Sequence, residues 1–174
     1  IGNNIQRLDY QYNIRGWLSK INAGPIGGKG PVSGVGVSDF VFNDLDDKFG
    51  MELQYAEAGQ YNGNIGKMIW KSLDGHQVNE GTQEFTYTYD AMSRLKTANY
   101  ATNSMDFSNG AFNVGGNDNG GITYDANGNI INLRRYQQNY GGSVSQIDDL
   151  TYQYQDGNQL SSVFDNAIGL QTEG

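Results

Sequence analysis

Polar and apolar residues alternate in short bursts along this chain, and each burst ends in a knot of Asp, Asn, Gly or Ser. Four stretches share a frame anchored on a tyrosine: "QYNIRGWLSKI" at Tyr12, "TYDAMSRLKTA" at Tyr89, "TYDANGNIINL" at Tyr124 and "QYQDGNQLSSV" at Tyr154. Six residues beyond the anchor stand Leu18, Leu95, Ile130 and Leu160, and nine beyond stand Ile21, Ala98, Leu133 and Val163. A shortened fifth copy, "QYNGNIGKMIW", opens at Tyr61 and reaches Ile65 two positions early. Period-two alternation around such breaks predicts β-hairpins, with repeats near 8–22, 51–72, 84–100, 121–136 and 149–165. Five hairpins make about ten strands. The expected fold class is all-β: an antiparallel hairpin array forming a curved, twisted sheet within a single domain over 1–174.

Each position in the frame has a physical reason. One residue after the anchor comes Asn13, Asp90 or Asp125, with Gln155 the exception. A short Asn or Asp side chain there accepts hydrogen bonds from the backbone two residues on and tightens the reversal. Four residues after the anchor come Gly16, Ser93, Gly128 and Asn158. A type I turn followed by a bulge needs φ > 0 at that place, so Ser93 predicts a looser or a strained turn. Tyr10, Tyr87 and Tyr152 stand two residues before an anchor, which puts both rings on one strand face. The apolar positions six and nine differ by three, so either the second strand carries a bulge or both sheet faces are covered. Between hairpins, 23–38, 101–121 and 136–147 are rich in Gly, Asn or Ser and read as irregular loops. The segment 38–55 suggests a short helical turn around 43–48 before a strand at 50–55.

Composition narrows the chemistry. The chain has 174 residues, 12 Tyr, 7 Phe, 25 Gly and a formal charge of −8. That aromatic content is what a folded core needs, and the length allows one. No basic stretch exists to release counterions from a nucleic acid, so neither DNA nor RNA is an expected partner. The absence of Cys removes disulfides, thiolate nucleophiles and Cys-ligated zinc. No apolar run approaches the length of a membrane-spanning helix. The chain opens without Met inside a strand-like pattern, which reads as a piece of a longer polypeptide.

Candidate chemistry is thin. Asp44, Asp46, Asp47 and Glu52 could supply paired carboxylates for glycoside hydrolysis, but acid runs of this kind are usually solvated loop faces. "DANGN" at 125–129 echoes part of a calcium loop without its further ligands or closing Glu, and its recurrence as a turn explains it. Asp118 in "GGNDNGG" has only oxygen neighbours to offer a cation. His76 is the only histidine, in a loop-like stretch without a neighbouring Ser. Trp17 and Trp70 each follow a repeat turn and are the two candidate ligand-stacking residues, although packing anchors are the plainer reading. No catalytic residue, metal site or cofactor is expected. The residues expected to carry the repeat are Tyr12, Gly16, Leu18, Tyr61, Ile65, Tyr89, Asp90, Leu95, Tyr124, Asp125, Gly128, Ile130, Tyr154 and Leu160.

The phrases "YTYDAMSRL" and "ITYDANGNI" resemble the YD repeat of Rhs proteins, teneurins and the C components of insecticidal toxin complexes. With "LDYQYNIRGWLSKIN", "KFGMELQY", "GQYNGNIGKMIWKS" and "LTYQYQDGNQLSSV", the wider frame is similar to the Rhs-type surface proteins of Bacteroidetes. The resemblance covers nearly all of the chain outside the Gly-rich insertions. It implies an exported or cell-surface protein whose repeats form the wall of a β shell around a C-terminal toxic or variable segment. The autoproteolytic core of that family has no counterpart here, because both prolines follow glycine. A non-enzymatic wall segment is therefore the first expectation, with the rest of its own polypeptide as partner. It should also associate with itself through an open edge or its concave face. A glycan-binding or adhesion module is the second.

Overall fold

The computed structural model describes residues 7–23, 47–55, 61–72, 81–116 and 121–167. Among these the chain is all-β, without a helix. The strands are β1 (Tyr10–Tyr12), β2 (Leu18–Ile21), β3 (Phe49–Gln54), β4 (Lys67–Ser72), β5 (Gln83–Tyr89), β6 (Leu95–Thr102), β7 (Thr123–Tyr124), β8 (Ile130–Gln138), β9 (Val144–Gln155) and β10 (Gln159–Asp165). They form an antiparallel six-stranded sheet in the order β1-β2-β3-β4-β5-β6 and a four-stranded one in the order β10-β9-β8-β7. Within each sheet every strand pairs with its neighbour in sequence, across tight turns in some hairpins and across long connections such as that from β2 to β3 in others. The chain falls into two compact units, one of Ile1–Thr86 with Ala101–Phe107, the other of Tyr87–Tyr100 with Ser108–Gly174.

In the first unit, register sorts the side chains into two faces. Tyr10, Ile21, Met51, Trp70 and Gln83 lie across from one another on one face, and Gln11, Lys20, Glu52, Ile69 and Glu84 on the other. Beyond the exposed Gln11 at the edge, the second face is buried or partly buried yet charged: Lys20 pairs with Glu52 at 3.6 Å and Lys67 with Glu84 at 3.3 Å. Lys20 and Glu84 are only 5% and 4% exposed, so each buried charge needs its partner to offset desolvation. On the opposite face Trp70 stacks on Phe85 with centroids 5.5 Å apart.

Of the expected loop at 101–121, Ala101 and Thr102 belong to β6, and in the second unit 108–116 do not behave as a free loop. Val114 bridges antiparallel to Ala98 of β6 on one side and to Arg135 of β8 on the other. Ala111 is fully buried, and buried Asn113 accepts the Tyr100 amide through Oδ1 at 2.7 Å. Without a hydrophobic alternation, the polar sequence gave no sign that this segment is sheet-like at one residue and core at another. The stretch 136–147 also differs from the expected insertion. β8 and β9 run through it, joined by a tight turn in which the Asn139 amide donates to Ser143 O and the Gly142 amide to Asn139 O. Here Gln138 occupies the anchor position, with Asn139, Gly142, Val144 and Ile147 where the frame would put them. The missing tyrosine hid the turn.

The expected loop at 23–38 lies outside the described residues apart from Ala23. So does the expected helical turn at 43–48 apart from Asp47 and Lys48, which are not helical.

Candidate functional site

The repeat turns come first because everything else is hung on them. In the β1–β2 hairpin the Asn13 amide donates to Trp17 O and the Gly16 amide to Asn13 O, while Asn13 Oδ1 accepts the amides of Arg15 and Trp17 at 2.9 and 3.0 Å. Asp90 makes the same set with Met92, Ser93 and Arg94, and Asp125 makes it with Asn127, Gly128 and Asn129. The fourth position turns left-handed in each: Gly16 at φ 75°, Ser93 at 62° and Gly128 at 91°. Ser93 thus keeps the tight turn and carries backbone strain. The turn after Tyr154 departs from the pattern. Gln155 pairs directly with Gln159, and both Gly157 and Asn158 take positive φ.

The question of positions six and nine resolves as a bulge. Tyr12 lies opposite Leu18 and Gln11 opposite Lys20, so Ser19 is skipped. Tyr124 with Ile130 and Thr123 with Asn132 skip Ile131, and Tyr154 with Leu160 and Gln153 with Ser162 skip Ser161. One extra residue restores the pleat, so the sixth and ninth positions share the face that holds the tyrosines.

The anchor tyrosines then do something that spacing did not reveal. Tyr124 Oη donates to Leu95 O at 2.6 Å, and Tyr154 Oη donates to Ile130 O at 3.0 Å. In each case the hydroxyl of one repeat reaches the carbonyl at the sixth position of the repeat before it. Tyr55 Oη donates to Leu18 O at 2.8 Å in the same manner. The anchor of the second repeat is therefore Tyr55, at the end of β3. Tyr61 lies outside any strand, 79% exposed, in the connection from β3 to β4, and Ile65 is likewise outside a strand. The readable signal was the "MELQY" alternation, which ends on a tyrosine as the other first strands do.

The fifth position also reaches forward. Arg94 binds Asp90 Oδ2 at 2.6 Å, donates to Asp125 O, and lies 4.4 Å over the Tyr124 ring. Trp17 sits 5.1 Å from the Tyr55 ring in the corresponding place. Asn129 and Asn127 both donate to Asn158 Oδ1 at 2.9 Å. Turn is thereby bonded to turn. These bonds hold the turn carboxylates ionised. The backbone amide of Arg94 lowers the pKa of Asp90, and the Asn129 side-chain amide lowers that of Asp125. Burial, and then the Asp90 charge, raise that of Tyr124. Tyr89 is raised by burial.

One cavity involves a candidate residue. About 200 Å³ in volume, it is lined by Trp17, Tyr55, Tyr61, Arg15, Ile14, Asn13 and Gly63. The Arg15 guanidinium lies 5.2 Å over the Trp17 ring. Gly63 at φ 98° brings its backbone so close that a Cβ would stand 2.7 Å from the indole. Trp17 is thus wedged in place, with part of its ring facing the cavity. Trp70 lies away from this cavity, stacked within the sheet.

Glu52 is tied to Lys20 and to the Gln54 amide. Asp44, Asp46, His76 and Asp118 lie outside the described residues. Among the described residues, no group of three or more His, Cys, Asp or Glu could hold a metal, and no helix is long and apolar enough to cross a membrane. The chain matches no family model and no curated protein sequence.

Proposed function

We propose that this chain is a non-enzymatic structural segment of a YD-repeat, Rhs-type protein, exported or displayed at the cell surface, and that it builds part of a β wall around further segments of its polypeptide. The observation that carries this reading is the tyrosine ladder, in which Tyr55, Tyr124 and Tyr154 each bond the preceding hairpin's backbone. A residue type spent on joining one repeat to the next serves extension of an array, since stability in such arrays comes from neighbour contacts. The polar pairs Thr88–Thr97, Thr123–Asn132 and Gln153–Ser162 recur at one place in three hairpins and support the same reading. A glycan array followed by calorimetric titration tests it. A wall segment gives no saturable binding.

The cavity at Trp17 favours a second reading, a carbohydrate-binding or adhesion module. Aromatic walls offer apolar faces for a sugar ring, and Arg15 offers donors for its oxygens. Saturable glycan binding that is lost in Tyr61→Ala, a substitution at an exposed ring, establishes this reading over the first.

A further inference from the structure

Two seams between successive repeats, β2–β3 and β8–β9, share one register. From Leu18 to Tyr55, Lys20 lies opposite Glu52 and Ile21 opposite Met51. From Ile130 to Tyr154, Asn132 lies opposite Thr151 and Leu133 opposite Leu150. Counted from the anchors, the eighth residue of one repeat faces the third before the next anchor, and the ninth faces the fourth before it. The seam is antiparallel, closed by the tyrosine hydroxyl, and the two sides that meet in it are different. A repeat therefore has a donor side, carrying the anchor hydroxyl, and an acceptor side, carrying the sixth carbonyl.

Among the described residues each side is left without a neighbouring strand at one end of a sheet order. β1 and β10 are each the last strand of their order. On the donor side Tyr10 and Tyr12 are 50% and 62% exposed, and the Tyr12 hydroxyl has no partner among the described residues. On the acceptor side Leu160, Val163 and Phe164 are 55%, 44% and 51% exposed, whereas Leu18, Leu95 and Ile130, which occupy the sixth position inside the array, are partly covered. An open strand edge flanked by apolar side chains is a template for another strand.

We propose that the β1 edge of one copy of this chain adds to the β10 edge of a second copy, in the register of the internal seams. Tyr12 Oη then donates to Leu160 O, Asp9 lies opposite Ser162 and Leu8 opposite Val163. This rests on reading the chain as a repeat array, and it names the partner that completes the array when no further repeat is covalently attached. The contact is heterologous, so each bound copy presents a fresh edge. Association runs on past the dimer unless the rotation closes a ring. Each copy carries a charge of −8, so the copies repel and added salt strengthens association.

The absence of Cys makes the test clean. Asp9→Cys and Ser162→Cys variants of the full chain are mixed under mild oxidation at high salt, with Asp9→Cys mixed with Gln153→Cys as the control. Facing residues of an antiparallel pair are close enough for a disulfide. The expected product is a D9C–S162C heterodimer in clear excess over the D9C–D9C and S162C–S162C homodimers and over the control. A second pair, Leu8→Cys with Val163→Cys, keeps the test valid should the first pair fail to fold. In sedimentation, Tyr12→Phe weakens association about fivefold, the loss of one hydrogen bond. Excess of a homodimer, or a wild-type chain that stays monomeric at high concentration and salt, overturns the proposal. Neither result touches the wall-segment reading, which fails instead on saturable glycan binding.

Discussion

The turn at Asn13–Trp17 and the turn at Asp90–Arg94 share a backbone and differ in what they do with it. Each makes two amide-to-carbonyl bonds and two amide bonds to the first side chain. In the first unit that side chain is a neutral amide, and the forward contact is an indole against the Tyr55 ring. In the second it is a carboxylate, and the forward contact is a guanidinium over the Tyr124 ring, bonded back to Asp90. One plan thus tolerates an apolar and an ionic version. The shared parts are the short side-chain acceptor, the left-handed fourth residue and the tyrosine of the next repeat.

The largest effect should come from breaking the apolar version. Trp17→Ala removes an indole packed between Gly63 and Tyr55, and about 2–4 kcal/mol of stability should go with it. Arg94→Ala removes a guanidinium over a ring, for which about 1 kcal/mol is the expected loss at a partly exposed site. Thermal unfolding of the two variants side by side checks the ranking. Equal losses mean that the forward contact depends on position rather than on its chemistry.

Next come the hydroxyls, where the two versions should agree. Tyr55→Phe and Tyr124→Phe each delete one ladder bond and keep the ring, at about 1 kcal/mol apiece in denaturant titration. Tyr61→Phe, at an exposed residue outside the ladder, should cost nothing measurable. A loss at Tyr61 matching that at Tyr55 would restore Tyr61 as the anchor. A smaller change of opposite sign belongs to the strained turn. Ser93→Gly relieves a left-handed serine and should raise stability by about 0.5 kcal/mol, net of glycine's greater freedom in the unfolded chain.

The hairpins were legible because their chemistry is local. An Asp or Asn, then a Gly, at fixed distances after a tyrosine define a turn whatever surrounds it, and the all-β class followed from counting such turns. What lay between the hairpins was not legible. Val114 bridges two strands by virtue of a backbone path through 103–116 that no side-chain alternation announces. The turn at Asn139 was hidden because Gln138 replaced the tyrosine on which the frame was anchored. Lys20 and Glu84 are charged residues whose burial nothing in their type signals, and only register brings each to a partner inside. The cavity was half legible. Trp17 stood out as a rare large ring, but its neighbours Tyr55 and Gly63 come from a separate connection that composition alone could not fold back onto it.

Acid separates the two versions of the turn with the smallest perturbation. Asp90 and Asp125 have folded-state pKa values below the ordinary carboxylate value, because backbone and side-chain amides bind the ionised form. A depressed folded-state pKa means that the stabilisation is complete at neutral pH. It begins to fade as pH drops below the unfolded value of about 4 and is gone once pH has passed through the folded-state value. Asn13 offers the same acceptor without a proton to gain, so the first turn has no such dependence. Asp125→Asn makes the second unit's turn resemble the first, with an amide oxygen in place of the carboxylate to accept the backbone amides of Asn127 and Asn129. Melting temperatures of wild type and D125N, measured from about pH 7 down to pH 2, should converge as pH falls through the acid limb. A constant gap between the curves across that range would mean that the carboxylate is not what the turn loses in acid.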